Sequence, residues 1–334
     1  IDGNTYIDLC LGDTGSMTGH SPDATVAAIK AQIDRGITMM LPTPDAVIVS
    51  RELSRRFGLP LWQFTVSATD ANRHVIRYAR MLTGRDKVVV IDRCYHGSVD
   101  ETFATLDVSG ATVSREGNIG APVELAVTTR VVEFNDLTAM ELALKMGDVA
   151  AILMEPAMTN VGIVLPQAGY LEAVQELAKK HGTILIIDET HTFSAGYGGM
   201  TARDGLEPDV FVIGKAIAGG IPTGTYGLSE EFAKRVLERD DLDLVDMGGV
   251  GGTLAGNPLS VAAMRATLEH VLTHENFEKM IDLATYFTNG VNELFEKYDL
   301  PWAINQLGAR AEYRFAKPYP INGTQAFESA DAEL

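Results

Sequence analysis

Two runs of this chain, Ile184–Ile187 and Val210–Ile213, are apolar at every position rather than at alternate ones. A strand with one wet face alternates; a strand covered on both faces does not need to. Further β-rich runs read as "QFTVS" (63–67), "KVVVI" (87–91), "RVVEF" (130–134) and "VAAILME" (149–155). Helical patterns lie between them. Val75, Ile76, Ala79 and Leu82 recur at helical spacing, a helix runs from Asp136 to about Met146, and "YLEAVQELAKKHG" is stopped by Gly182. Asn257 and Pro258 cap a helix reaching about Leu272, and another runs from about Asn276 to Tyr298. "SREGNIGAPVE" (114–124) reads as a loop. The alternation predicts an α/β fold with a mostly parallel sheet flanked by helices.

Such sheets bind ligands at the carboxyl ends of their strands. Three polar residues fall on that edge: Glu155 after "AAILM", Asp188 after "TILII", and Lys215 after "DVFVIG". A lysine at a strand end ordinarily lays its stem on apolar surface and its nitrogen in water. The sharper alternative is a neutral amine that forms an imine with an aldehyde. Asp188 reads as a cap or turn residue, or as the charge that keeps a pyridine nitrogen protonated. Ser67, Ala68 and Thr69 lie where a strand gives way to a helix, a position whose free amides suit a phosphate. Ser67 with Asp70 also makes a plain capping box. "GGVGGTLAGNP" (248–258), with Thr253, is a second glycine-rich turn before a helix.

The 334 residues carry a net charge of −18 and no Lys/Arg-rich run, which argues against nucleic acid and anionic membrane as partners. No apolar run approaches the roughly 18 residues of a membrane helix. Cys10 and Cys94 are the only cysteines, so a disulfide framework is excluded and a cytoplasmic setting is expected. The chain opens without methionine and stops at "SADAEL", and is read as incomplete at both ends.

The ordered blocks identify a resemblance. "VSATDANRHVIRYARMLTGRDKVVVIDRCYHG", "AAILMEPAMTNVGIVLP", "GTILIIDETHTF", "PDVFVIGKAIAGGIPTGTYG" and "GGTLAGNPLSVAA" are similar to segments of the class III, fold type I aminotransferases. The branch they resemble most contains glutamate-1-semialdehyde aminomutase. The resemblance implies pyridoxal phosphate as cofactor and a homodimer with shared active sites. It assigns Lys215 as the Schiff-base lysine and carrier of the substrate α-proton, and Asp188 as the partner of the ring nitrogen. Ser67, Ala68 and Thr69 hold the phosphate, Tyr95 stacks on the ring, and Asn160 sits near the 3′-oxygen. Thr190 takes the position of a valine that packs on the ring, and Thr253 reaches the neighbouring subunit's phosphate. A large domain over 35–270 is expected, with a smaller α+β domain built from 1–34 and 271–334.

Three departures from the family pattern stand out. Ala68 replaces a glycine, and "DETHTFSA" replaces "DEV.TGFR", putting Ala195 where an arginine is usual. His191 is unusual at its position, with a supporting hydrogen bond or a substrate contact as its possible roles. The substrate end should include "GDTGSMTGH" (12–20), with Ser16, and "ITMMLPT" (37–43), where Met39 and Met40 form an apolar wall or ordinary core. Arg310 and Arg314 are candidates to meet a substrate carboxylate.

The residues favour an aminotransferase moving an amino group between an amino donor and a carbonyl acceptor. An aminomutase, which moves it within one molecule, uses the same lysine and aspartate. A non-catalytic binding protein of the same fold is the reading from another class. "DVFVIGKA" fails the phosphate-loop pattern at Asp209 and Ala216. His270 and His274 are four apart, but no third metal ligand accompanies them, and no metal is expected.

Overall fold

The structure, a computed structural model, describes residues 2–121, 123–239 and 249–330. Its strands are β1 (Leu61–Thr65), β2 (Lys87–Ile91), β3 (Ala104–Leu106), β4 (Thr112–Ser114), β5 (Thr129–Val132) and β6 (Val149–Met154). They continue with β7 (Ile184–Asp188), β8 (Val210–Ile213), β9 (Gly224–Leu228), β10 (Ala303–Leu307) and β11 (Arg310–Arg314). Seven of them form one sheet in the order β1-β9-β8-β7-β6-β2-β5, in which only β9 is reversed. The α/β class and the mostly parallel sheet expected from the apolar runs are present.

Burial explains why those runs do not alternate. Val210 and Val212 of β8 pack into one cluster with β2, β6 and β7, against Val75, Ile76 and Ala79 of the helix Ala68–Thr83. Phe211 and Ile213 point to the opposite face, into a second cluster with Phe57, Phe193, Met264 and Phe277. Every residue of β6, β7 and β8 is buried. Removing each of their Val, Leu, Ile, Phe or Met side chains from water contributes roughly 1.5–3 kcal/mol, which anchors the centre of the sheet.

Several boundaries differ from the expectations for physical reasons. The first strand ends at Thr65 because Ser67 already caps the following helix. The helix opened by Asn257 and Pro258 is α-helical only to Ala266, then widens into a π-turn over Thr267–Val271. The next helix begins at His274 behind Thr273 as N-cap. His270 and His274 therefore lie on two helical segments and not on one face. A short β3–β4 hairpin precedes the loop around 115–124. Among the described residues no helix is long and apolar enough to cross a membrane.

β9 has no counterpart in the sequence reading, since "GTYGL" follows a glycine-rich turn and resembles loop. It sets the site. Gly224 pairs with Thr65, and a Cβ built on it would lie 2.5 Å from the Ser67 carbonyl carbon and 2.7 Å from the Ala68 nitrogen. Glycine is what lets β9 close against the start of the helix Ala68–Thr83. Gly224→Ala should cost about 2 kcal/mol or more, read as a lower midpoint in thermal or urea unfolding. An unchanged midpoint would mean that this backbone approach is not tight.

Candidate active site

A cavity of about 590 Å³ opens at the carboxyl edge of the sheet. Ser67, Ala68, Thr69, Tyr95, Asp188, Thr190, His191 and Lys215 line it, as does Ser16. Residues far apart in sequence meet there because neighbouring parallel strands all end on one edge.

Asp188 is the most constrained of them. It is buried at the end of β7, and its Oδ2 accepts from Asn72 Nδ2 at 2.8 Å and from His96 Nδ1 at 2.9 Å. Its Oδ1 accepts from the Thr190 amide at 3.0 Å. Burial alone pushes this carboxyl up, but His96, Thr190 and Asn72 outweigh it and hold the group at about 2. Burial likewise opposes a charge on His96. The Cys94 sulfur and the Asp188 carboxylate prevail, so its pKa is raised well above the ordinary value. The result is a fixed negative charge at the cavity wall with a cation behind it.

Lys215 follows β8 through Gly214 and adopts φ +47°, a left-handed conformation uncommon for a residue with a side chain. Its Nζ donates to Asp13 Oδ2 at 3.0 Å and to the Asp13 carbonyl at 3.2 Å, and it contacts His191 Nε2. Also lining the cavity, Ser67 caps the helix Ala68–Thr83. Its Oγ accepts from the Asp70 amide at 3.2 Å and donates to Asp70 Oδ2 at 3.0 Å, so the N-cap half of the capping box forms while the Asp70 carboxylate meets the Ser67 hydroxyl and not its amide. The start of this 16-residue helix, at Ala68 and Thr69, also lines the cavity, and a helix N-terminus suits an anion. The methyl of Ala68 is accommodated because Gly214 faces it; a Cβ there would sit 2.9 Å away.

The remaining sequence-based candidates are placed as follows. Asn160 is exposed and donates to the Arg93 carbonyl at 3.0 Å, outside the cavity lining. Thr253 is exposed in the glycine-rich turn, also off the cavity. Met39 and Met40 are 46% and 82% exposed, neither ordinary core nor a wall of this cavity. Gly12, Gly15, Ser16, Gly19 and His20 do reach it. Arg310 lies close enough to influence Asp13, His191 and Glu155, and it donates to Glu312 at 3.1 Å and the Thr159 carbonyl at 3.3 Å. Arg314 is committed to backbone carbonyls at Val161 and Ala326. Ala195 is buried, with the Ala309 amide bonded to the neighbouring Ser194 carbonyl at 2.9 Å, so the β10–β11 turn sits where an arginine side chain would have to go.

Asn72, His96, Asp13 and Thr14 were not singled out from the sequence. The one available signal was polarity inside apolar patterns: Asn72 lies on the buried face of its helix, and His96 lies beside Tyr95.

The donor set fits pyridoxal phosphate. A buried carboxylate stands ready for the ring nitrogen, helix amides for the phosphate, and a lysine for the aldehyde. Thr190 Oγ1 is buried on the cavity wall without a hydrogen-bond partner. Fold and site together define a fold type I pyridoxal phosphate enzyme.

Comparison with known proteins narrows this. The family description Aminotransferase class-III matches residues 1–331. The glutamate-1-semialdehyde 2,1-aminomutase of Nitratidesulfovibrio vulgaris is 33% identical over 338 aligned positions, covering 100% of this chain and 78% of that protein. That of Chloroflexus aggregans is 36% identical, covering 92% and 70%. A crystal structure of a glutamate-1-semialdehyde aminomutase from Pseudomonas aeruginosa superposes with a TM-score of 0.96 at 50% identity, over 99% of this chain and 74% of that one. An omega-transaminase from Sphaerobacter thermophilus follows at 0.88 and 26%, over 99% and 76%. The chain belongs to the class III aminotransferases, enzymes that use pyridoxal phosphate.

Glu155 also lines the cavity, buried, and accepts from Thr159 Oγ1. Burial raises its pKa from 4.5 to about 7, partly countered by His96 and Thr159. The folded protein therefore binds more protons than the unfolded chain between those values, and stability falls as pH rises through that window. Glu155→Gln removes this slope. Relative to wild type, its unfolding midpoint should rise between about pH 5 and pH 8; a constant difference would show that Glu155 titrates normally.

Proposed function

We propose that this protein is a pyridoxal-phosphate-dependent aminomutase of the glutamate-1-semialdehyde type, moving an amino group between two carbons of one small molecule. The chemistry rests on one observation: Asp188 and Lys215 meet at one cavity with a helix N-terminus. The choice of aminomutase is supported by the relatives, which bear that name at 33–36% identity with most of both chains aligned. It reverses the preference drawn from the residues alone, which was for transfer between two molecules.

Pyridoxal phosphate, when bound, supplies an electrophilic aldehyde carbon and a ring that accepts an electron pair. The chain's own residues do the rest. The amides at Ala68 and Thr69 hold the phosphate, and Ser67 fixes the start of their helix. Asp188, charged at any pH above about 2, would hold a proton on the cofactor's ring nitrogen. An amide at that position would supply no charge. Lys215 provides the nucleophilic nitrogen and, once released, carries a proton to and from the substrate carbon beside it. Tyr95, exposed where it lines the cavity, would be the residue to stack on the cofactor ring.

The same reading makes the protein a homodimer. Thr253, Met39 and Met40 are exposed and off the cavity of their own chain, which suits residues that complete a neighbour's site. Segments 1–34 and 271–334 form the smaller domain. Two unpaired cysteines accord with a cytoplasmic setting.

The test is turnover of glutamate-1-semialdehyde with no second substrate present. The proposal expects rearranged product from that substrate alone. Activity only when an amine and a keto acid are supplied together would restore intermolecular transfer, and activity in neither assay would favour the non-catalytic alternative. Lys215→Ala should keep the wild-type circular dichroism spectrum and lose turnover by about 10³-fold or more. Full activity in that variant would remove Lys215 from the chemistry.

A further inference from the structure

His191 departs from the pattern of the family, yet it is buried, lines the cavity and touches the lysine. An ammonium has three donors and no acceptor. Lys215 Nζ meets three acceptor groups: Asp13 Oδ2 at 3.0 Å, the Asp13 carbonyl at 3.2 Å, and His191 Nε2. Facing an ammonium, Nε2 must accept, which leaves the ring proton on Nδ1. Nδ1 lies 3.1 Å from Thr14 Oγ1, whose oxygen can accept it. Asp13 Oδ2, 3.5 Å from Nε2, is the acceptor that the other tautomer would use. Asp13 and Thr14 are adjacent and both left-handed, at φ +53° and +67°, so one tight loop presents the lysine's carboxylate and the histidine's anchor together. Three residues upstream of His191, Asp188 ends β7. The segment 188–191 thus carries both the partner of the ring nitrogen and a partner of the lysine.

We propose that His191 is a positioning residue for Lys215: in the Nδ1–H tautomer, with Thr14 Oγ1 as its acceptor, the Nε2 lone pair sets where the lysine nitrogen sits in the cavity. The charged groups that bear on the imidazole are Lys215, Asp13 of the facing loop, Arg310 of β11 and Asp188 of β7. Burial first, and then the Lys215 charge, lower its pKa to about 4, so it stays a neutral acceptor at ordinary pH. The kinetic part of this inference rests on Lys215 being the reactive lysine; the tautomer does not.

The experiment is nitrogen NMR on the full-length protein with ¹⁵N-labelled histidine, the His191 signals being assigned by their loss in His191→Gln or, if that variant misfolds, His191→Asn. Expected are an Nδ1–H tautomer and no protonation until about pH 4. Lys215→Met should raise the His191 midpoint, because it removes a neighbouring positive charge. Thr14→Val should erode the tautomer preference and lower kcat by up to about tenfold with little change in KM, as expected for one lost hydrogen bond between neutral groups. A wild-type Nε2–H tautomer, or a His191 midpoint unmoved by Lys215→Met, would overturn the proposal. Neither NMR outcome depends on which substrate is turned over, so failure here is distinguishable from failure of the aminomutase reading.

Discussion

A carboxylate in the interior is stable only when its lost hydration is replaced by aimed donors and opposite charge. Asp188 meets that requirement through three separate parts of the chain. Asn72 comes from the helix after β1, His96 from the turn after β2, and the Thr190 amide from its own loop. None of these can be in place unless β7 is central and the helix Ala68–Thr83 crosses the sheet, so the fold and the electrostatics of the site are one problem. The core around β6, β7 and β8 supplies the rigidity that holds a buried charge to a few tenths of an ångström.

The other half of the site follows from the reversed strand. β9 lies between β1 and β8 and brings two chain segments together, the helix start at Ser67 and the lysine turn after Gly214. Close approach is made by leaving side chains out. Gly224 lies against the Ser67 backbone and Gly214 against the Ala68 methyl, so the alanine that replaces a family glycine fits without opening the cup. The cavity is thus lined by both the helix start and the lysine with its acceptors.

Much of this was legible in the sequence. The continuous apolar runs give the buried strands, and the polar residues that close them, Asp188 and Lys215, do line one cavity. Ser67 read equally well as a cap and as part of a phosphate cup, and the structure shows the cap at a position that lines the cavity. What could not be read has a common cause. Asn72, His96 and Thr14 act through partners 116, 92 and 177 positions away, and no local spacing encodes such a meeting. β9 was missed because its glycines, needed for backbone approach, look like turn residues. Met39, Met40, Asn160 and Thr253 lie outside the cavity lining of their own chain, where a single-chain sequence reading has no means of placing them.

The central claim is that Lys215 and Asp188 form one cofactor site. It is tested most directly by adding pyridoxal phosphate, recording the visible absorbance, reducing with borohydride and mapping the fixed cofactor mass by peptide mass spectrometry. The account predicts a visible band that is lost on reduction, with the added mass on Lys215 alone, and a much weaker band in Asp188→Ala. Label spread over surface lysines, or no band at all, would contradict it.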